Sequence, residues 1–293
     1  MPALGLKKTQ SDAISRSLAA GNPSSNGLVL SALQGGMLED FRGKMLLLAD
    51  GVTYALAGID ADLDPYYVVG SKHFLALRGS DATVVAGAGL IAGTTAAKTM
   101  VLRLTNNDTG TGVNGASVVG VSQEGSLWLP PSQAWTAQFE AYVPSNSYGI
   151  TTAFQEIGLM GGGNISTHFI DVSKEFGYVD GSVDEPFVAL KFYNGSGYLR
   201  VRAAAGGTVQ TSGAFPIPAS GKHSYRIEYG YSSTGGTPAV SLYVNDVFKA
   251  TIVATLTGGL QFAARACHGA AYVAATKVPP VLDLVNILVA PHS

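Results

Sequence analysis

Thr136 to Val143 sets Phe139, Ala141 and Val143 on one side of an extended chain and Gln138, Glu140 and Tyr142 on the other. Successive strand residues point to opposite faces, so this alternation predicts a strand with one face buried. The pattern recurs at Val188 to Tyr193, Tyr198 to Ala203, His223 to Tyr229 and Val240 to Val244. The joins carry turn residues, Asn194-Gly195-Ser196-Gly197 and Ser232 to Pro238, which is hairpin chemistry. The clearest hairpin runs from Leu242-Tyr243-Val244 through Asn245-Asp246 into Val247 to Val253, because Asn and Asp tolerate the positive φ of a two-residue turn. Strands are expected from there to the C terminus. No segment repeats at a fixed period, which sets solenoids and propellers aside.

The first third is less regular. From Met37 onward short apolar runs at Met45 to Ala49, His73 to Leu77, Met100 to Leu104 and Ala116 to Val121 read as strands. Between them Val84 to Ala97 is Ala/Gly/Thr-rich and lacks charge; a buried loop, irregular strands and a partner-covered surface all fit it. At the start, Leu6, Ala13, Ile14 and Leu18 recur at near-helical spacing within Gly5 to Ala20, and Gly21 to Gly27 ends the pattern. So narrow a helix is marginal alone and is either frayed or docked on another surface, such as a neighbouring subunit, through Leu6, Ile14 and Leu18. The expected organisation is an arm and linker over 1–34, a β-rich lobe or insertion over 35–122, and a sandwich over 123–293.

The run GKHSYRIEYGYSSTGGTPAVSLYVNDVFKATIV resembles the hairpin of concanavalin A-like and laminin-G-like jelly rolls, where an R-I-E-Y type strand precedes an L-Y-V-N-G type turn. Val281 to Val289 looks like the last strand of such domains, and Leu38-Glu39-Asp40-Phe41 like their E-D-F opening. The resemblance implies an all-β, lectin-like jelly-roll β-sandwich, here with a short helical N-terminal arm. Such domains occur in lectins, glycan-binding modules, glycoside hydrolases and bacteriophage virion proteins, and fold alone does not choose among them.

Composition tilts that choice. Charged residues make up 13% and Gly reaches 37 residues, against about 25% charged in ordinary soluble proteins. A weakly charged surface of small residues suits a protein packed against neighbours, and in composition the chain is similar to phage structural proteins such as capsid decoration, tail or fibre components. A net charge of −2 without a basic run argues against nucleic acid. Apolar stretches such as Val281 to Val289 contain Asp283 and Asn286 and fall short of the roughly 20 residues of a membrane span. The start lacks the apolar stretch of a signal peptide. The expectation is a virion protein made in a host cytoplasm, homo-oligomeric with other virion subunits as partners, non-enzymatic and without cofactor. A module recognising a cell-surface glycan is the alternative, and a glycan hydrolase the third reading.

Catalytic patterns are sparse. A retaining glycosidase of this fold family would carry an E-x-D-x-x-E strand, and no such string occurs. Asp171 and Glu175 have the wrong spacing, while Glu140 and Glu156 read as outward or hydrogen-bonded strand and turn residues. Asp60, Asp62 and Asp64 offer oxygens to a hard cation, but Pro65 and Ser71 stand where a calcium loop needs Gly and Glu. His73, His168, His223, His268 and His292 show no metal-pair spacing. Cys267 and His268 are adjacent, hence on opposite faces of a strand, so Cys267 reads as a small core residue. Gly161-Gly162-Gly163 lacks the Lys-Ser/Thr of a phosphate loop. One pattern favours binding: Tyr198, Arg200 and Arg202 alternate with Leu199 and Val201, and Tyr193, Arg226 and Tyr243 are candidates to join them as a glycan face. Aromatic rings stack on sugar faces and Arg grips hydroxyl or carboxylate groups.

With no complete coordination loop, the melting temperature should be unchanged by EDTA. A fall of several degrees, reversed by calcium, would restore Asp60, Asp62 and Asp64 as a metal site.

Overall fold

The computed structural model describes residues 37–39, 46–47, 67–69, 74–78, 82–88, 100–106, 114–120, 133–143, 153–161, 186–193, 195–218, 222–231, 236–268 and 281–291. Leu6, Ile14 and Leu18 lie outside them. Eighteen strands, numbered in chain order, are described, and every pairing is antiparallel.

They form two sheets. Sheet A runs β16 (Val247–Val253), β15 (Ala239–Val244), β14 (His223–Gly230), β8 (Trp135–Tyr142), β18 (Val281–Pro291), β6 (Met100–Asn106) and β5 (Ala82–Ala88), with β1 (Met37–Glu39) also on β18. Sheet B runs β12 (Gln210–Thr211), β11 (Ser196–Arg202), β10 (Phe187–Tyr193), β9 (Ala153–Gly161), β17 (Leu260–His268), β7 (Asn114–Gly120), β4 (Phe74–Arg78), β3 (Tyr67–Val69) and β2 (Leu46–Leu47), with β13 (Phe215–Pro216) on β11. Neighbours in a sheet are seldom neighbours in sequence. β17 lies between β9 and β7, and β18 between β8 and β6, the crossing pattern of Greek-key sandwiches. Strands from 35–122 therefore complete sheets begun by strands from 123–293.

The alternation that predicted β8, β10, β11, β14 and β15 sends one side of each into a shared core. Phe139, Ile157, Leu159, Val188, Leu190, Phe192, Leu199, Val201, Tyr225, Ile227, Leu242 and Ile287 all belong to it. Rings bridge the sheets: Phe139 meets Phe262 at 5.7 Å and Phe192 meets Tyr225 edge-on at 5.2 Å. Each such side chain contributes on the order of 1.5–3 kcal/mol by leaving water. Burial also pushes the Tyr225 hydroxyl well above the usual tyrosine range, so it stays protonated.

The Asn245-Asp246 turn takes φ values of 49° and 62°, the primed geometry whose twist matches its strands. Asn245 accepts from the Ser224 amide at 3.0 Å through Oδ1, and its own amide donates to the Ser224 carbonyl at 2.8 Å. The hairpin tip is thus tied to β14.

The stretch Val84 to Ala97, open in sequence, supplies part of β5, a strand over Ala82–Ala88. β9 carries no alternation, because it is buried on both faces: Ile157 and Leu159 enter the core while Glu156 and Met160 on the opposite face are equally covered. Gly158 faces β10 with no room for a side chain. A Cβ there would lie 2.2 Å from the Val188 carbonyl oxygen and 2.6 Å from the Ala189 Cα. Gly158→Ala should therefore lower the denaturant midpoint, by about 1–3 kcal/mol of stability, by forcing these strands apart.

Candidate functional site

The face of sheet B turned away from the core is built of rows crossing the strands. Lys191 pairs with Tyr198 on one side and Glu156 on the other, and Glu156 pairs with Arg265. Tyr198, Lys191, Glu156 and Arg265 therefore form one row over β11, β10, β9 and β17. The next row is Arg200, Ala189, Gly158 and Ala263. The third brings together Arg202, Phe187 and Met160.

The small residues of the middle row shape the chemistry. Arg200 sits two strands from Glu156, yet its Nη1 donates to Glu156 Oε1 at 3.0 Å. The row partners of Arg200 on β10 and β9 are Ala189 and Gly158, so small residues stand along the path to Glu156. Glu156 has no solvent exposure, and Arg200, Arg202 and Arg265 are also buried. A carboxylate so placed needs its cation, because an uncompensated buried charge costs several kcal/mol. The Arg200 and Arg202 guanidinium carbons also sit 5.6 and 5.9 Å from the Phe187 ring centre, within cation–π range.

Toward the β10–β11 turn the face opens. Tyr193 and Tyr198 stack at 4.9 Å with their planes 20° apart, and both are half-buried. Lys191, also half-buried, holds Nζ 4.9 Å from the Phe154 ring and 5.0 Å from that of Tyr193. The result is an aromatic platform with an ammonium beside it and a buried ion pair behind.

Four of the expected glycan residues, Tyr193, Tyr198, Arg200 and Arg202, share this face. Arg226 and Tyr243 do not: they pair across β14 and β15 on the outer side of sheet A, with the core between the two groups. There Arg226 stacks 4.2 Å over the Tyr243 ring, donates to Glu228, and reaches Asp246 at 3.4 Å. Alternation assigns a residue to the outside of its sheet but not to one sheet or the other. Lys191 and Phe154 escaped sequence reasoning. Their signal was positional: Lys191 sits two residues before Tyr193 and so on the same side of β10.

Glu140 is on the outer side of sheet A, held by Lys222 at 2.9 Å and Asn286 at 2.5 Å. The His223 ring nitrogen Nδ1 is 3.0 Å from Asn245 Nδ2. Asp60, Asp62, Asp64, Asp171 and Glu175 lie outside the described residues, as do the side chains of Cys267, His73, His168, His268 and His292. Among the described residues no three His, Cys, Asp or Glu side chains gather as a metal cage, and no helix is long and apolar enough to cross a membrane.

No protein-family model and no curated protein sequence matches the chain. Among solved structures it is similar to the Bacillus licheniformis β-glucanase, with 9% identity, 88% of this chain and 99% of that one covered, and a TM-score of 0.45. The endo-1,3-β-glucanase of Streptomyces sioyaensis matches with 10% identity, 88% and 95% coverage and a TM-score of 0.47. The carbohydrate recognition domain of Emp47p matches with 12% identity, 73% and 90% coverage and a TM-score of 0.44. The expectation that the chain is not an enzyme does not stand. Glucanases are among these matches; Glu156, expected as an outward strand residue or hydrogen-bonded turn residue, does face outward from β9, accepts from Arg200 and is fully buried there. Nothing in the matches bears on assembly into a virion.

The ion pair predicts a specific non-additivity. Arg200→Met should cost about 1–3 kcal/mol by removing one charged hydrogen-bond donor from the buried Glu156 carboxylate, and adding Glu156→Gln should recover part of it. Urea denaturation of the two single variants and the double one measures this; additive losses would mean that the two side chains act independently.

Proposed function

We propose that the chain binds a carbohydrate on the outer face of sheet B, at the open end formed by Tyr193, Tyr198 and Lys191. The observation that carries this is the stacked tyrosine pair, half-exposed and flanked by an ammonium group. A pyranose ring offers one apolar face to an aromatic platform, while its hydroxyl or carboxylate groups take hydrogen bonds from cations at the rim. The strand scaffold and the ion pair behind the platform hold it rigid, so little ordering entropy is lost on binding. This reading stands ahead of the virion role, whose arm lies outside the described residues. Assembly into a particle and a homo-oligomeric state remain compatible with a glycan-binding face and are kept as secondary proposals.

Glu156 bears on the hydrolase reading. Glycoside cleavage uses two carboxyl groups, and Glu156 supplies one on this face; a partner would come from outside the described residues. A reducing-sugar release assay on any glycan that binds, repeated with Glu156→Gln, tests that step directly.

The binding proposal is tested on an array of cell-surface oligosaccharides, followed by titration calorimetry with the best ligand. Tyr198→Ala should weaken binding about tenfold, the loss of one stacking platform worth roughly 1.4 kcal/mol, with the thermal melt nearly unchanged. No glycan bound at millimolar concentration, or an affinity indifferent to both Tyr198→Ala and Tyr193→Ala, would sink the proposal.

A further inference from the structure

On the outer side of β10 and β11 solvent reaches one corner. Lys191, Tyr193, Ser196 and Tyr198 are half-buried, whereas Phe187, Ala189, Arg200 and Arg202 on the same side are buried. Register makes the open residues a block, because Tyr193 pairs with Ser196 and Lys191 with Tyr198. The block is two rows deep and two strands wide, about 7 Å by about 5 Å on the backbone grid.

Both ways inward are shut. Along the strands the next row holds Arg200 and Ala189, and the one after it Arg202 and Phe187, all of them covered. Across the strands β9 brings Phe154 and Glu156, and β17 beyond it Arg265, which are buried as well. The open sides are the β10–β11 turn and the β13 edge, where Pro216 pairs with Ser196 and is exposed. The rings make the same point. Phe154, Lys191, Tyr193 and Tyr198 follow one another at 4.9, 5.0 and 4.9 Å. Tyr198 ends that series, and among the described residues no further ring or cation meets it. One aromatic face at a corner takes one sugar ring.

We propose that this site takes the end of a glycan chain, one terminal sugar ring, rather than a run of internal units; the inference rests on the binding reading above. A terminal ring enters the corner with its chain trailing out over the turn or the β13 edge. An internal unit carries a neighbour on each side. Laid along either axis of the sheet, such a chain drives one neighbour into the covered rows, and the ground it would need holds the buried Arg200–Glu156 pair.

Titration calorimetry on the full chain tests this with methyl glycosides of glucose, galactose, mannose, N-acetylglucosamine and glucuronic acid, and with their homo-oligomers of two to six units. For the sugar that binds, affinity should stay within about threefold from dimer to hexamer, because every chain has one such end whatever its length. A hexamer blocked at both ends, by a foreign sugar at one and a bulky hydrophilic tag at the other, should bind about tenfold more weakly or worse. Tyr198→Ala should weaken the methyl glycoside and the hexamer by the same factor. Affinity that climbs about tenfold or more with length and still needs Tyr198 would overturn the chain-end inference and leave the platform standing. Undiminished binding of the blocked hexamer would do the same. No binding by any probe, or binding indifferent to Tyr198→Ala and Tyr193→Ala alike, would remove the platform and the inference together.

Discussion

A carboxylate with no access to water sets the terms for sheet B. Glu156 accepts there from a cation two strands away, the Arg200 guanidinium of β11, and shares its row with Lys191 and Arg265 on the strands beside it. The reach of Arg200 depends on Ala189 and Gly158 being small, and the closeness of β9 to β10 depends on Gly158 having no Cβ. Four residue choices on three strands are thus one choice. Removing either partner or enlarging the floor beneath them disturbs the same contact.

The same arrangement explains why the tyrosine platform can be open while the rest of the face is closed. Arg202, Phe187 and Met160 fill the face away from the β10–β11 turn, so the sheet is stiffened where it is covered. Tyr193 and Tyr198, next to the turn, stack on each other rather than on the core. Their geometry is set by strand register, which changes only if pairing breaks, and a binding platform gains from that rigidity.

Legibility in the sequence followed burial. β8, β14 and β15 keep part of one side open to solvent, and on β11 polar side chains mark the outer side even where it is covered, so the alternation of β8, β10, β11, β14 and β15 was readable at once. β9 has two dry sides, so Ala153–Gly161 shows neither the polar half nor a recognisable apolar run. The site suffered for it, because Glu156 belongs to that strand. The outward residues of β11 were identified correctly as a set, yet Arg226 and Tyr243 were grouped with them across the thickness of the sandwich. Which sheet a strand joins is decided by long-range pairing, and local pattern carries no record of it. The Asn245-Asp246 turn, by contrast, was legible because its backbone geometry is imposed by two adjacent residues.

The position of the last two described strands has a consequence for how the chain comes to be folded. β17 fills the gap between β9 and β7, and β18 the gap between β8 and β6, while β1 waits some 250 residues for its partner on β18. Neither sheet can close until residues 260–291 have left the ribosome. Every strand beside those gaps meanwhile presents a bare edge to its surroundings. Loop closure over such separations is slow, so during synthesis this chain spends its longest interval as an open pair of half-sheets, the state most exposed to mispairing and to the attention of chaperones.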